Sequence, residues 1–205
     1  MKPRLLFATT NPGKLGELRA LMGEAAQVLS LKDFPQVSEA VEDGATFEEN
    51  ARKKAHHYAV ATGVVALADD SGLCVDALGG APGVHSARYA EGSDRARYLK
   101  LLEVLAGVPD SQRGAAFQCA LCLATPEGAD AVEVGACPGT IGREPRGSHG
   151  FGYDPVFLLP DGRRTMAELP KEEKSAISHR GAAFVKLRPV LLAYTQGRWP
   201  SGKEI

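Results

Sequence analysis

Two adjacent carboxylates, Asp69 and Asp70, close an apolar run at residues 64–68 and are followed by Ser71 and Gly72. Ligands of open α/β sheets collect where strands end. Hard carboxylate oxygens at such a place suit magnesium, which takes few protein carboxylates and keeps waters and phosphates. Neighbours on an extended chain point to opposite faces, so one aspartate is expected to face the site and the other to face away. The plain alternative is a turn in which aspartate bonds its own backbone. Glu42-Asp43-Gly44 offers a further carboxylate, either a metal ligand or a solvated turn. Asn50 and Lys54, four apart on the following helix, share a face that points at phosphates or at water.

A second segment, Thr9-Thr10-Asn11-Pro12-Gly13-Lys14, suits phosphate. It sits where a strand is expected to give way to a helix, and backbone N–H groups and the helix dipole favour an anion there. Thr9, Thr10 and Asn11 add donors, and Lys14 adds a point charge. It is not a Walker loop: Ala8 stands where that motif needs glycine, and Leu15 where it needs serine or threonine. An ordinary capped helix with a surface lysine is the competing reading. In Gly150-Phe151-Gly152-Tyr153-Asp154-Pro155 the glycines allow close backbone approach to a ligand. Phe151 can stack on a base, Asp154 can accept from its edge, and Pro155 keeps Asp154 extended. The same residues suit a tight turn with its aromatics in the core. Residues 172–181 read as a charged, solvated helix unless a kink near Gly181 gathers Lys174, His179 and Arg180 into one pocket.

These segments need a scaffold. Residues 4–9 read as a strand, with Asn11 as helix N-cap and Pro12 as first helical residue. Thr46 and Glu49 form a capping box for a second helix with Ala51, Ala55, Tyr58, Ala59 and Thr62 inward, ending at Gly63. The next strand is expected at 64–68, a helix capped by Ser93 to about Ala106, and a hairpin of 115–125 with 131–136. A strand at 156–159 and a last helix from Lys171, interrupted near Gly181, complete a mixed α/β pattern. Cys119 and Cys122 have metal-like spacing, but on one strand they face opposite ways and read as small core residues. The 205 residues carry a formal charge of −1, which excludes a broadly basic nucleic-acid surface and leaves room for a local basic pocket. No apolar run approaches the roughly 20 residues of a membrane helix, and the N-terminal apolar stretch is too short for a secretory signal. An intracellular, cytoplasmic protein with no membrane partner is expected.

Taken together, the segments resemble the inosine triphosphate pyrophosphatase family, hydrolases of non-standard purine nucleoside triphosphates. The matching text, in chain order, is T-x-N-x-x-K at 9–14, Phe47 with Glu49-Asn50-Ala51, ADDSGL at 68–73, and the glycines of 79–83 with Ser86-Ala87-Arg88-Tyr89. FGYDP at 151–155 and EKSAISHR at 173–180 follow. His149 departs from the pattern, which has glycine there. The resemblance implies an elongated mixed α/β sheet with flanking helices, and a chain (1–205) forming a single domain of two lobes around a central cleft. It also implies a homodimer and dependence on Mg2+. The implied reaction releases nucleoside monophosphate and pyrophosphate from inosine, deoxyinosine and xanthosine triphosphates, clearing deaminated purines from the nucleotide pool. By the resemblance, Thr9, Thr10, Asn11, Pro12, Gly13 and Lys14 cradle the triphosphate. Glu42 and Asp70 are metal ligands, Asp70 activates water, and Ser71 touches substrate. Phe151, Gly152, Tyr153, Asp154, Lys174, His179 and Arg180 form the base pocket. A Maf-type pyrophosphatase of related architecture suits FGYDP and SHR poorly. A nucleotide sensor without turnover would gain little from extra carboxylates.

Overall fold

A computed structural model describes residues 2–199, with the side chains at 17, 18 and 21 left undescribed. Six strands form one mixed sheet in the order β2-β1-β3-β4-β5-β6. The chain divides into two compact units. The first runs to Asp70 and takes in Cys119–Gly135 and the chain from Ala183 on; the second comprises Ser71–Gln118 and Ala136–Ala182.

The first unit opens with β1 (Arg4–Phe7), α1 (Pro12–Met22) and β2 (Gln27–Ser30). β1 pairs in parallel with β2, Leu5 opposite Val28, and with β3 (Ala66–Val75), Leu6 opposite Ala66. Leu5, Leu6 and Phe7 are all fully buried because both faces of the parallel strands are covered. On one face Leu5, Phe7 and Leu67 pack with Phe184 and Leu187 of α5 (His179–Thr195). On the other, Leu6, Ala66 and Ala68 pack against Ala51, Ala55 and Ala59 of α2 (Phe47–Thr62). These small side chains give the helix a close seat on the strands. Thr46 caps α2 as expected, accepting from Glu49 N at 3.1 Å. The Glu49 carboxylate, however, accepts from Ala45 N at 2.7 Å, one residue beyond the capping-box partner. Gly63 closes α2 in the left-handed conformation, its N–H on Ala59 O.

The second unit is built around Leu73, Val75, Leu101, Phe117, Tyr153, Phe157 and Met166. Ser93 caps α3 (Asp94–Val104) by accepting from Ala96 N. The hairpin is β4 (Gly114–Ala124) with β5 (Asp130–Ile141), and the two-residue β6 (Phe157–Leu158) pairs antiparallel with β5. Arg113, fully buried, gives its guanidinium to the carbonyls of Leu105, Ile141 and Gly142 at 2.5–2.8 Å. It thereby ties the end of α3 to the end of β5.

Two expectations about boundaries are corrected. β3 does not stop at Ala68: it runs through both aspartates to Val75. Protein partners stabilise the two carboxylates inside the strand, and Leu73 and Val75 restore apolar alternation beyond them. The last helix breaks at Ser178, not at Gly181, separating α4 (Lys171–Ile177) from α5. Ser178 is extended, with ψ 152°, and its hydroxyl accepts from Gly181 N at 3.0 Å, so it caps the new helix as well as ending the old. Cys119 lies with Leu121 and Leu123 in one core and Cys122 with Ala120 and Ala124 in the other, facing opposite ways as expected. Burial pushes the Cys122 thiol up to about 12, so it stays protonated.

Candidate active site

In the first unit, two lysines and three carboxylates meet near the start of α1. Asn11 caps the helix, its Oδ1 accepting from Gly13 N at 2.8 Å and Lys14 N at 3.2 Å. Two of the N–H groups expected to meet phosphate are therefore already given to Asn11. Thr9 accepts from Asn11 N at 3.2 Å, Pro12 holds the first helical position, and Thr10 is exposed. The Lys14 ammonium projects to Asp69 Oδ2 at 2.9 Å.

Strand alternation places Asp69 on the face of Leu67, and Asp70 on the face of Ala66 and Ala68, towards α2. Asp70 Oδ2 accepts from the Asn50 amide at 3.0 Å, and Asn50 Oδ1 accepts from Gly44 N at 2.7 Å. Asn50 therefore joins the loop carrying Glu42 to the Asp70 carboxylate. Lys54, one turn on, donates to the Asp69 carbonyl at 3.0 Å and pairs with Glu42 at 2.9 Å. Burial works to lower the Lys54 pKa, but the charges of Asp69, Glu42 and Asp70 outweigh it and the net shift is upward. Burial raises the Asp70 carboxyl above its usual value. The Asn50 hydrogen bond and the charges of Lys54 and Lys14 oppose that rise, while Glu42 adds to it. Among the described residues no group of three or more His, Cys, Asp or Glu side chains is placed to hold a metal by itself. Glu42 and Asp70 fit a hard cation that keeps waters and phosphate oxygens in its remaining positions.

In the second unit the glycine-aromatic loop meets α4 and the start of α5. Asp154 Oδ2 accepts from Phe151 N at 2.8 Å and from the Lys174 ammonium at 2.7 Å, both side chains of the ion pair being buried. Lys174 Nζ also lies 4.4 Å from the Phe151 ring centre, and the Arg180 guanidinium 6.0 Å from it. Arg180 donates to Ser71 Oγ at 3.2 Å. Gly150, at φ +79°, is required here: a Cβ would lie 2.0 Å from Asp154 Oδ2 and 3.2 Å from Lys174 Nζ. His179 stacks on Phe117 of β4, ring centres 5.0 Å apart and planes 17° from parallel. The break at Ser178 thus brings Lys174 and Arg180 to one ring and sets His179 beside another. Tyr153 is buried in the core, its hydroxyl donating to Ser86 O at 2.8 Å, so it holds the loop from behind.

The family model of the Ham1 family matches residues 5–190. The chain belongs to the Ham1 family. The dITP/XTP pyrophosphatase of Streptomyces avermitilis is 50% identical over 194 residues, covering 92% of this chain and 96% of that protein. The dITP/XTP pyrophosphatase of Geobacter sulfurreducens is 52% identical over 188 residues, covering 90% and 94%. The solved structure of a HAM1 protein from Coxiella burnetii superposes with TM-score 0.85 at 44% identity, covering 92% of this chain and 98% of that one. The resemblance read from six ordered blocks and the mixed α/β sheet are borne out. Spacing alone left Lys54 between phosphate and water and gave Asn50 no definite part; in this Ham1 chain Lys54 bonds Glu42 and the Asp69 carbonyl, and Asn50 bonds Asp70 and Gly44. Phe117 carried no signal, because it belongs to an apolar strand with no motif around it.

Proposed function

We propose that this chain hydrolyses non-standard purine nucleoside triphosphates (inosine, deoxyinosine and xanthosine triphosphates) to the monophosphate and pyrophosphate. The observation that carries the reading is the pairing of two chemistries in one Ham1 chain. A lysine–carboxylate cluster suits a triphosphate with its cation, and a cluster of aromatic, cationic and carboxylate groups suits a purine. Relatives named dITP/XTP pyrophosphatase at about 50% identity support it.

Lys14 and Lys54 supply positive charge to the phosphate oxygens, aided by the dipole of α1. Glu42 and Asp70 would hold magnesium, which when bound neutralises charge developing on the phosphoryl oxygens and the pyrophosphate leaving group. Asp70 accepts a proton from the water that attacks the α-phosphorus, a role that needs its carboxylate in the charged form. Asn50 keeps that carboxylate aimed by holding one oxygen. For the base, Phe151 offers a ring face, and Lys174 and Arg180 offer donors to a 6-oxo group. Adenine presents a 6-amino donor instead, and leaving buried donors unmatched discriminates by about 10⁴ or more. The reading includes a homodimer working in the cytoplasm. Among the described residues no helix is long and apolar enough to cross a membrane.

Product identification tests this. With magnesium, pyrophosphate is expected from ITP, dITP and XTP, with little from ATP, GTP, CTP or dTTP. Release of orthophosphate instead, or no turnover of any purine nucleotide, overturns the reading. Sedimentation velocity checks the dimer.

A further inference from the structure

Three of the bonds that fasten the loop carrying Phe151 come from its own turn, from the 3-10 turn at 83–88 and from the start of α3, all in the second unit. Asp154 Oδ2 accepts from Phe151 N at 2.8 Å, Tyr153 donates to Ser86 O at 2.8 Å, and Gly152 N donates to Asp94 Oδ2 at 2.7 Å. The third fastening comes from a residue outside every motif. Asp94 is the first residue of α3, directly after the capping Ser93. Its other oxygen pairs with Arg97, which also donates to Gly92 O at 3.1 Å, so the carboxylate is braced from its own helix. A backbone N–H held by a carboxylate makes a charge-assisted bond, roughly twice as strong as a neutral one. The peptide so held joins Phe151 to Gly152, and Gly152 itself sits at φ +65°. Letting go of that N–H frees the peptide next to the ring that lies against Lys174 and Arg180.

We propose that Asp94 is a positioning residue for purine recognition: from the start of α3 it fixes the Gly152 N–H and with it the place of the Phe151 ring. The proposal rests on the function given above and assigns part of the base selectivity to the first residue of α3.

The test compares Asp94→Ala, Asp94→Asn and Arg97→Ala in the full chain. Both Asp94 variants remove the same favourable negative charge from the N-terminus of α3. Only asparagine keeps an oxygen able to accept from Gly152, so their difference reads that one contact. For Asp94→Ala, affinity for inosine monophosphate by calorimetry is expected to fall about tenfold, with KM for inosine triphosphate rising to match and kcat within about twofold. Asp94→Asn and Arg97→Ala are expected to stay within about threefold of the parent in both affinity and KM. Equal losses in the alanine and asparagine variants overturn the proposal, since helix charge would then be the cause. So does a lowered melting temperature with unchanged affinity, which would make Asp94 only a cap. A parent enzyme that hydrolyses inosine triphosphate while Asp94→Ala matches it sinks this inference and leaves the function standing. A parent that neither turns over inosine triphosphate nor binds the monophosphate sinks both.

Discussion

At the scale of single residues, the contrast between Asp69 and Asp70 carries the chemistry. Asp69 holds Lys14, and its carbonyl holds Lys54, so its carboxylate is committed to placing cations. Asp70 is held by a neutral amide and lies among Lys54, Lys14 and Glu42. Asp70→Asn keeps the shape and an oxygen for Asn50 but removes the base. Turnover is expected to fall by at least about 10²-fold, the lower range of a general-base contribution, with the melting temperature kept or slightly raised because burial opposes the charged form. Rates like those of the parent would remove Asp70 from the mechanism. The aspartate pair was legible as a chemical signal because two carboxylates after an apolar run are unusual. Which of them points at α2 was not, since alternation fixes that the two differ and only the neighbouring helices say which face is which.

Elements decide whether good residues meet. The α4–α5 junction is the clearest case, since Lys174 precedes the break while His179 and Arg180 follow it. Gly181 makes the junction possible: a Cβ there would lie 2.3 Å from the Ser175 carbonyl oxygen, a backbone atom with little freedom to retreat. Gly181→Ala is therefore expected to cost about 2 kcal/mol of unfolding free energy, the middle of the range for overpacking. KM for inosine triphosphate should rise as Lys174 and Arg180 part. Unchanged denaturant midpoint and KM together would show that the junction has slack. The sequence placed the kink at the glycine because glycine is the commoner breaker. The structure breaks at Ser178, whose hydroxyl caps the new helix, with glycine serving the close approach instead.

A second element, the hairpin, offers a pH test away from the site. Burial works to raise the Asp130 pKa, but its hydrogen bonds to Arg52 and His56 outweigh that and the net shift is downward. A carboxyl depressed in the folded state adds stability above its unfolded value of 3.8 and loses it as pH falls through the lower folded value. Asp130→Asn should then cost about 1 kcal/mol at neutral pH, as expected for a partly exposed pair. The cost should shrink as urea midpoints are taken below pH 3.8. A cost that stays constant with pH would assign the effect to packing.

For the whole molecule, the two clusters belong to different compact units of one chain. The run of strands and helices along the chain and the six blocks were accessible early because turn, cap and charge residues punctuate them. Which stretches belong to which unit was not. β4 reads as an apolar run broken only by Gln118, yet Ala115 and Phe117 serve one core while Cys119, Leu121 and Leu123 serve another. Hydrophobicity reports burial without reporting which core receives it. The separation has an energetic consequence. Lys14 is held by Asp69 in the first unit, and Lys174 by Asp154 and Phe151 in the second. Lys14→Ala should weaken every triphosphate alike, whatever its base. Lys174→Ala should lower the preference for inosine over adenosine triphosphate. Sites without shared partners add within about 0.5 kcal/mol, so the losses in kcat/KM should multiply in the double variant. A coupling above about 1 kcal/mol in that cycle would mean that base recognition and triphosphate binding act as one cooperative unit, each completing the other's geometry.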